Sequence, residues 1–83
     1  MNKELLCYVD SMALVQKVIA PDGANIAVSS EHYAEGIIEL CNKYNTNKVH
    51  LFGNQYYLEG VSENIRTQEI LSYSQNKIEI EVN

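Results

Sequence analysis

Lys48–Val61, KVHLFGNQYYLEGV, is the stretch on which the fold turns. Val49, Leu51 and Phe52 make a short apolar strand that runs into Gly53-Asn54. Tyr57, Leu58, Val61 and Ile65 then recur at helical spacing. A strand that feeds a turn and then a helix sits mid-sheet in a small α/β domain, with its turn at the functional edge. The helical pattern weakens after Arg66, because Ile70 and Leu71 leave the stripe, so the helix is expected to end or bend near Thr67, with 69–74 unassigned. Lys77–Val82 alternates strictly, Ile78, Ile80 and Val82 inward and Glu79 and Glu81 outward, which predicts a one-faced edge strand.

N-terminal to the central stretch, Tyr33, Ala34, Ile37, Ile38, Leu40, Cys41 and Tyr44 form a broad apolar helical stripe. Ser29-Ser30 offers N-cap hydroxyls and Glu31 places negative charge at the helix's positive end, while Asn45-Thr46-Asn47 ends it. Ala20-Pro21-Asp22-Gly23 is a type I turn signal between β-branched runs, which predicts a hairpin of strands at about 15–20 and 25–29. Residues 12–20 also fit a short helix, with Met12, Val15 and Ile19 on one face. Glu4–Val9 is nearly all apolar and suits a strand buried on both faces, closed by a turn at Asp10-Ser11. The expectation is one α/β domain over residues 1–83, with the order β-β-β-α-β-α-β and a mixed five-stranded sheet. The strand-helix-strand connections require right-handed parallel crossovers.

A chain of 83 residues has a small core, so pairing with a second copy would cover apolar surface that one copy leaves exposed. The net charge is −5, and the six basic residues are scattered, which predicts weak or no unaided nucleic-acid binding. Cys7 and Cys41 fall in apolar segments without metal-ligand spacing and read as reduced core thiols. No apolar run reaches membrane-spanning length and no secretory leader is visible, so the expected location is cytoplasmic.

Three short stretches carry a resemblance. Tyr8–Ser11 (YVDS) ends a first strand in an acid, Ser29–Glu35 (SSEHYAE) is a hydroxyl-rich turn leading to a helical Glu, and Gly53–Val61 (GNQYYLEGV) follows the central strand. With the element order, they make the chain resemble a minimal, degenerate ribonuclease H-like fold. That resemblance implies a Mg²⁺ or Mn²⁺ site to which Asp10 and Glu35 would contribute carboxylates. At the third acidic position stands Gly53, followed by Asn54, whose amide oxygen is a neutral substitute. Cleavage through two cations needs several hard oxygen ligands holding ions ~4 Å apart, and this set is one acid short.

His32 reads as a first-turn surface residue. His50 lies on the strand face opposite Val49 and Leu51 and reads as a hydrogen-bonded interior or interface histidine. Six tyrosines stand against one Phe and no Trp, and Tyr33, Tyr56, Tyr57 and Tyr73 are candidate interface residues, because tyrosine packs its ring while keeping its hydroxyl wet. The favoured expectation is a non-catalytic protein that associates with itself or another protein. One alternative is a metal-dependent nuclease using Asp10 and Glu35. Another is an acidic inhibitor of a nucleic-acid-binding protein, presenting Glu79 and Glu81.

Overall fold

The computed structural model describes residues 3–10, 13–53 and 61–82. Its elements are β1 (Glu4–Tyr8), β2 (Val15–Ile19), β3 (Asn25–Ser29), α1 (Tyr33–Lys43), β4 (Lys48–Phe52), α2 (Val61–Ser74) and β5 (Glu79–Val82). The chain is α/β, and its mixed sheet has the order β3-β2-β1-β4-β5. β2 runs antiparallel to both β1 and β3, whereas β1, β4 and β5 are mutually parallel. The expected element order and sheet are therefore present, with β4 an interior strand and β5 at an edge.

The Pro-Asp-Gly signal closes the β2–β3 hairpin. Gly23 N–H donates to Ala20 O at 2.9 Å, and Gly23 takes φ +90°, a left-handed conformation that only glycine adopts cheaply. The strand reading of residues 15–19 thus holds over the helical one, and Met12 lies outside the described residues.

Helix α1 starts later than the sequence suggests, with His32 at the N-cap and no side-chain cap. The Ser30 hydroxyl is used elsewhere, donating to Ala13 O. At its C-terminus, Asn45 at φ 51° lets Thr46 N–H reach back to Cys41 O, a Schellman-type closure. Helix α2 continues to Ser74 without ending near Thr67. Its inward face is also different from the expected stripe: Ile65 is exposed, while Glu63 and Ile70 are buried. The apolar positions mislead because the inward spacing 63, 67, 70 carries Glu and Thr.

Both helices cover one face of the sheet. Leu5, Cys7 and Val9 of the first strand segment, Val18, Val28, Val49 and Leu51 point to that side, where they form one core with Tyr33, Ile37, Cys41 and Ile70. Fully burying a side chain such as Ile37 stabilises by about 1.5–3 kcal/mol. The expectation that β1 is buried on both faces is corrected accordingly. Tyr8 is 40% exposed, because no described helix lies over the second face. Among the described residues, no helix is long and apolar enough to cross a membrane.

Candidate functional site

The C-terminal edge of β1 and β4 is where the resemblance places chemistry. Val9 N–H donates to Phe52 O at 2.8 Å, so Asp10 and Gly53 begin the two departing loops side by side. Asp10 is held by its backbone: its N–H donates to Gln16 Oε1 at 2.6 Å, and its carbonyl accepts from Gln16 Nε2 at 2.9 Å. Gln16 is 1% exposed and also reaches Ala13 O and Ser30 Oγ, tying β1, β2 and the entry to α1 into one polar knot. Such a group is tolerated in a core only because its donors and acceptors are partnered.

Gly53 has a specific spatial role. A Cβ at this position would overlap the carboxylate of Glu63, which enters from the first turn of α2. Glu63 is buried, and its Oε1 has no hydrogen-bond partner among the described residues. A carboxylate from the following helix thus occupies the volume that a side chain at position 53 would fill. Beside it, Arg66 donates to Ser30 O at 3.1 Å, pairs with Glu69 at 3.0 Å and lies 4.8 Å above the Tyr33 ring centre.

The other predicted site residues are dispersed. Glu35 is exposed in the first turn of α1, 3.5 Å from His32 Nδ1. Asn54, Tyr56 and Tyr57 lie outside the described residues. Tyr33 is 1% exposed, a core side chain and not a surface contact, whereas Tyr73 is exposed on α2. The Tyr33 hydroxyl abuts the Cys7 thiol, and burial holds Cys7 up at about 12 and Tyr33 above its usual range. Burial also pushes Cys41 up to about 11, so both thiols stay protonated and unreactive, as expected of core cysteines. Neither Asp10 nor Glu35 belongs to a set of three potential His, Cys, Asp or Glu metal ligands among the described residues.

The second sheet face carries ordered rows. Phe52, Tyr8, Lys17 and Ala27 are successive cross-strand neighbours. Tyr8 and Phe52 stack at 5.0 Å, and Lys17 Nζ lies 5.5 Å from the Tyr8 ring centre. One row away, Glu81, His50 and Leu6 are neighbours across β5, β4 and β1, and beyond them come Glu79, Lys48 and Glu4. Glu4 is buried, and Lys48 and His50 lie 3.6 and 3.4 Å from its oxygens.

The two sheet edges differ. β5 carries Glu79 and Glu81, while β3 (NIAVS) has no charge and pairs on one side only. Between β3 and α1 runs a groove of about 370 Å³ lined by Ile26, Val28, Gly36 and Leu40, with Glu39 and Lys43 at its rim. Gly36 permits this close approach, since a Cβ there would lie 2.6 Å from a Val28 methyl.

No family model, no curated protein and no solved structure matches the chain.

The geometry brings forward residues that sequence reading passes over. Gln16 sits at an inward position of an alternating strand, where a polar side chain at an apolar site is the visible signal. Glu4, His50 and Glu81 converge only through strand pairing.

Proposed function

We propose that this protein is a non-catalytic association module, a reduced relative of the ribonuclease H-like fold, that pairs with a second copy through β3. The observation that carries the reading is the uncharged, one-sided edge of β3 beside an apolar groove, in contrast to the acidic edge of β5. Exposed edges are normally blunted by charge, proline or bulges, and β3 has none of these. An antiparallel two-fold pairing centred on Ala27 sets Ile26 of each copy opposite Val28 of the other. One strand pair and a groove fall below the ~1,200 Å² of a standard interface, so the dimer is weak and concentration-dependent. The element order and the stretches at Tyr8–Ser11, Ser29–Glu35 and Gly53–Val61 support the fold relationship, and the absence of an acid at position 53 supports a loss of catalysis.

Sedimentation equilibrium over a concentration series tests the pairing. Ala27→Lys sets two lysines face to face across the two-fold axis, and Ala27→Glu does the same with two acids. Each variant alone should be monomeric, and an equal mixture should dimerise. A wild type that is monomeric throughout the series removes the reading, as does an Ala27→Lys variant that dimerises like the wild type.

A metal-dependent nuclease is the second reading, and Glu63 is the observation in its favour, since it returns a carboxylate to the edge where Asp10 lies. Incubation with RNA–DNA hybrid and Mg²⁺ or Mn²⁺ decides it. Cleavage lost in both Asp10→Asn and Glu63→Gln would establish this reading over the first. The outward charge needed by an inhibitor is already partly engaged, because Glu81 faces Lys48 and His50.

A further inference from the structure

We propose that Glu4, His50 and Glu81 form a binding site for a borderline divalent cation of the Zn²⁺ type on the second sheet face, with Lys48 as its built-in competitor. The three side chains come from adjacent parallel strands, β1, β4 and β5, and one ligand atom of each lies within 4.8 Å of the others. His50 Nδ1 is 3.4 Å from Glu4 Oε1 and 3.8 Å from Glu81 Oε2. A tetrahedral Zn²⁺ with bonds of about 2.0–2.1 Å separates its ligands by about 3.4 Å. The Glu4–His50 spacing already meets that value, and a small rotation of Glu81, exposed at the edge, would bring its oxygen from 3.8 Å to the same spacing.

Two further observations point to a cation. Glu4 is 7% exposed, and a carboxylate so buried needs a positive neighbour. The His50 ring is fixed by stacking on Phe52 at 4.2 Å, which keeps Nδ1 turned toward both acids. In the protein itself the Lys48 ammonium meets the need for positive charge, 3.6 Å from Glu4 and 4.0 Å from Glu81. A divalent ion entering between the carboxylates displaces that ammonium toward solvent. It also takes the Nδ1 lone pair, leaving the ring proton on Nε2, which is buried without a partner among the described residues. Both effects reduce affinity, so binding is moderate. One imidazole with two carboxylates suits Zn²⁺ better than Mg²⁺, which demands near-octahedral oxygen ligands and keeps its waters. Three protein ligands leave a fourth position for water or a small anion.

The test titrates Zn²⁺ calorimetrically and Co²⁺ by visible absorption into four proteins: wild type, His50→Ala, Glu81→Gln and Lys48→Met, each checked for fold by circular dichroism. Wild type should bind one ion per chain and give the intense Co²⁺ bands of a tetrahedral site. His50→Ala and Glu81→Gln should each weaken binding about tenfold or more, and Lys48→Met should strengthen it by about tenfold. Equal affinity in wild type and His50→Ala overturns the site, as does an absence of binding in both wild type and Lys48→Met. Weaker binding in Lys48→Met than in wild type overturns the competitor role.

Discussion

Glu63 places its carboxylate in the space that a side chain on Gly53 would occupy. Gly53→Ala should therefore destabilise by about 1–3 kcal/mol, the usual cost of overpacking. Glu63→Ala removes both the obstruction and a buried oxygen without a partner among the described residues, so it should cost little. The double variant should recover most of the Gly53→Ala loss, giving a coupling of at least about 0.5 kcal/mol in urea unfolding. Additive losses would mean that the two side chains do not share this volume.

The inward face of α2 makes a second prediction. Ile70 is fully buried and Ile65 is 48% exposed. Ile70→Ala should cost about 2–5 kcal/mol, whereas Ile65→Ala should stay within about 0.5 kcal/mol of wild type. Chemical denaturation of the two variants side by side checks the helix rotation directly.

Among the described residues the buried Gln16 side chain makes four hydrogen bonds. Gln16→Leu preserves its volume but removes the acceptor of the Asp10 N–H, while the Asp10 carbonyl still accepts from Ala13 N–H and the Ser30 hydroxyl still donates to Ala13 O. With one donor losing its acceptor, the loss should be about 1–3 kcal/mol. Amide exchange at Asp10 should accelerate in the variant by more than its global loss of stability explains.

Alkaline pH should unfold the protein. Cys7 and Cys41 rise from an ordinary value of 9.0 to about 12 and about 11 because burial disfavours the thiolate. Above pH 9 the unfolded chain releases these protons while the folded chain keeps them. The folded state therefore binds more protons in that window, and stability falls as pH rises, by up to about 1.4 kcal/mol per pH unit for each thiol. Tyr33 adds to the fall from pH 10 upward. Melting temperature measured between pH 7 and 11 should decline from near pH 9, and both thiols should resist alkylation in the native state at pH 8.

The residues explain why some of this could be read in advance and some could not. The hairpin follows from Pro21 and Gly23, and β4 and β5 follow from their own composition, since each of these signals is local. α1 carries its apolar stripe openly. α2 does not, because its inward turn begins with Glu63 and passes Thr67 before reaching Ile70. Gly53 reads in the sequence as a lost acid. That Glu63 refills the place depends on how α2 is rotated against β4, which no local spacing encodes. The grouping of residues 4, 50 and 81 likewise exists only through the parallel ladders that join their strands.

The position of β1 has a consequence for how the chain reaches this structure. Leu6 is paired with Ile19 on one side and with His50 on the other. The first partnership is close in sequence and the second is distant, so the β2–β3 hairpin and its pairing with β1 can form early, while the centre of the sheet closes late. During synthesis, Leu5 and Cys7 remain beside an open ladder until residues 48–52 have left the ribosome. The strand that anchors the finished core is thus the one most in need of shielding while the chain is being made.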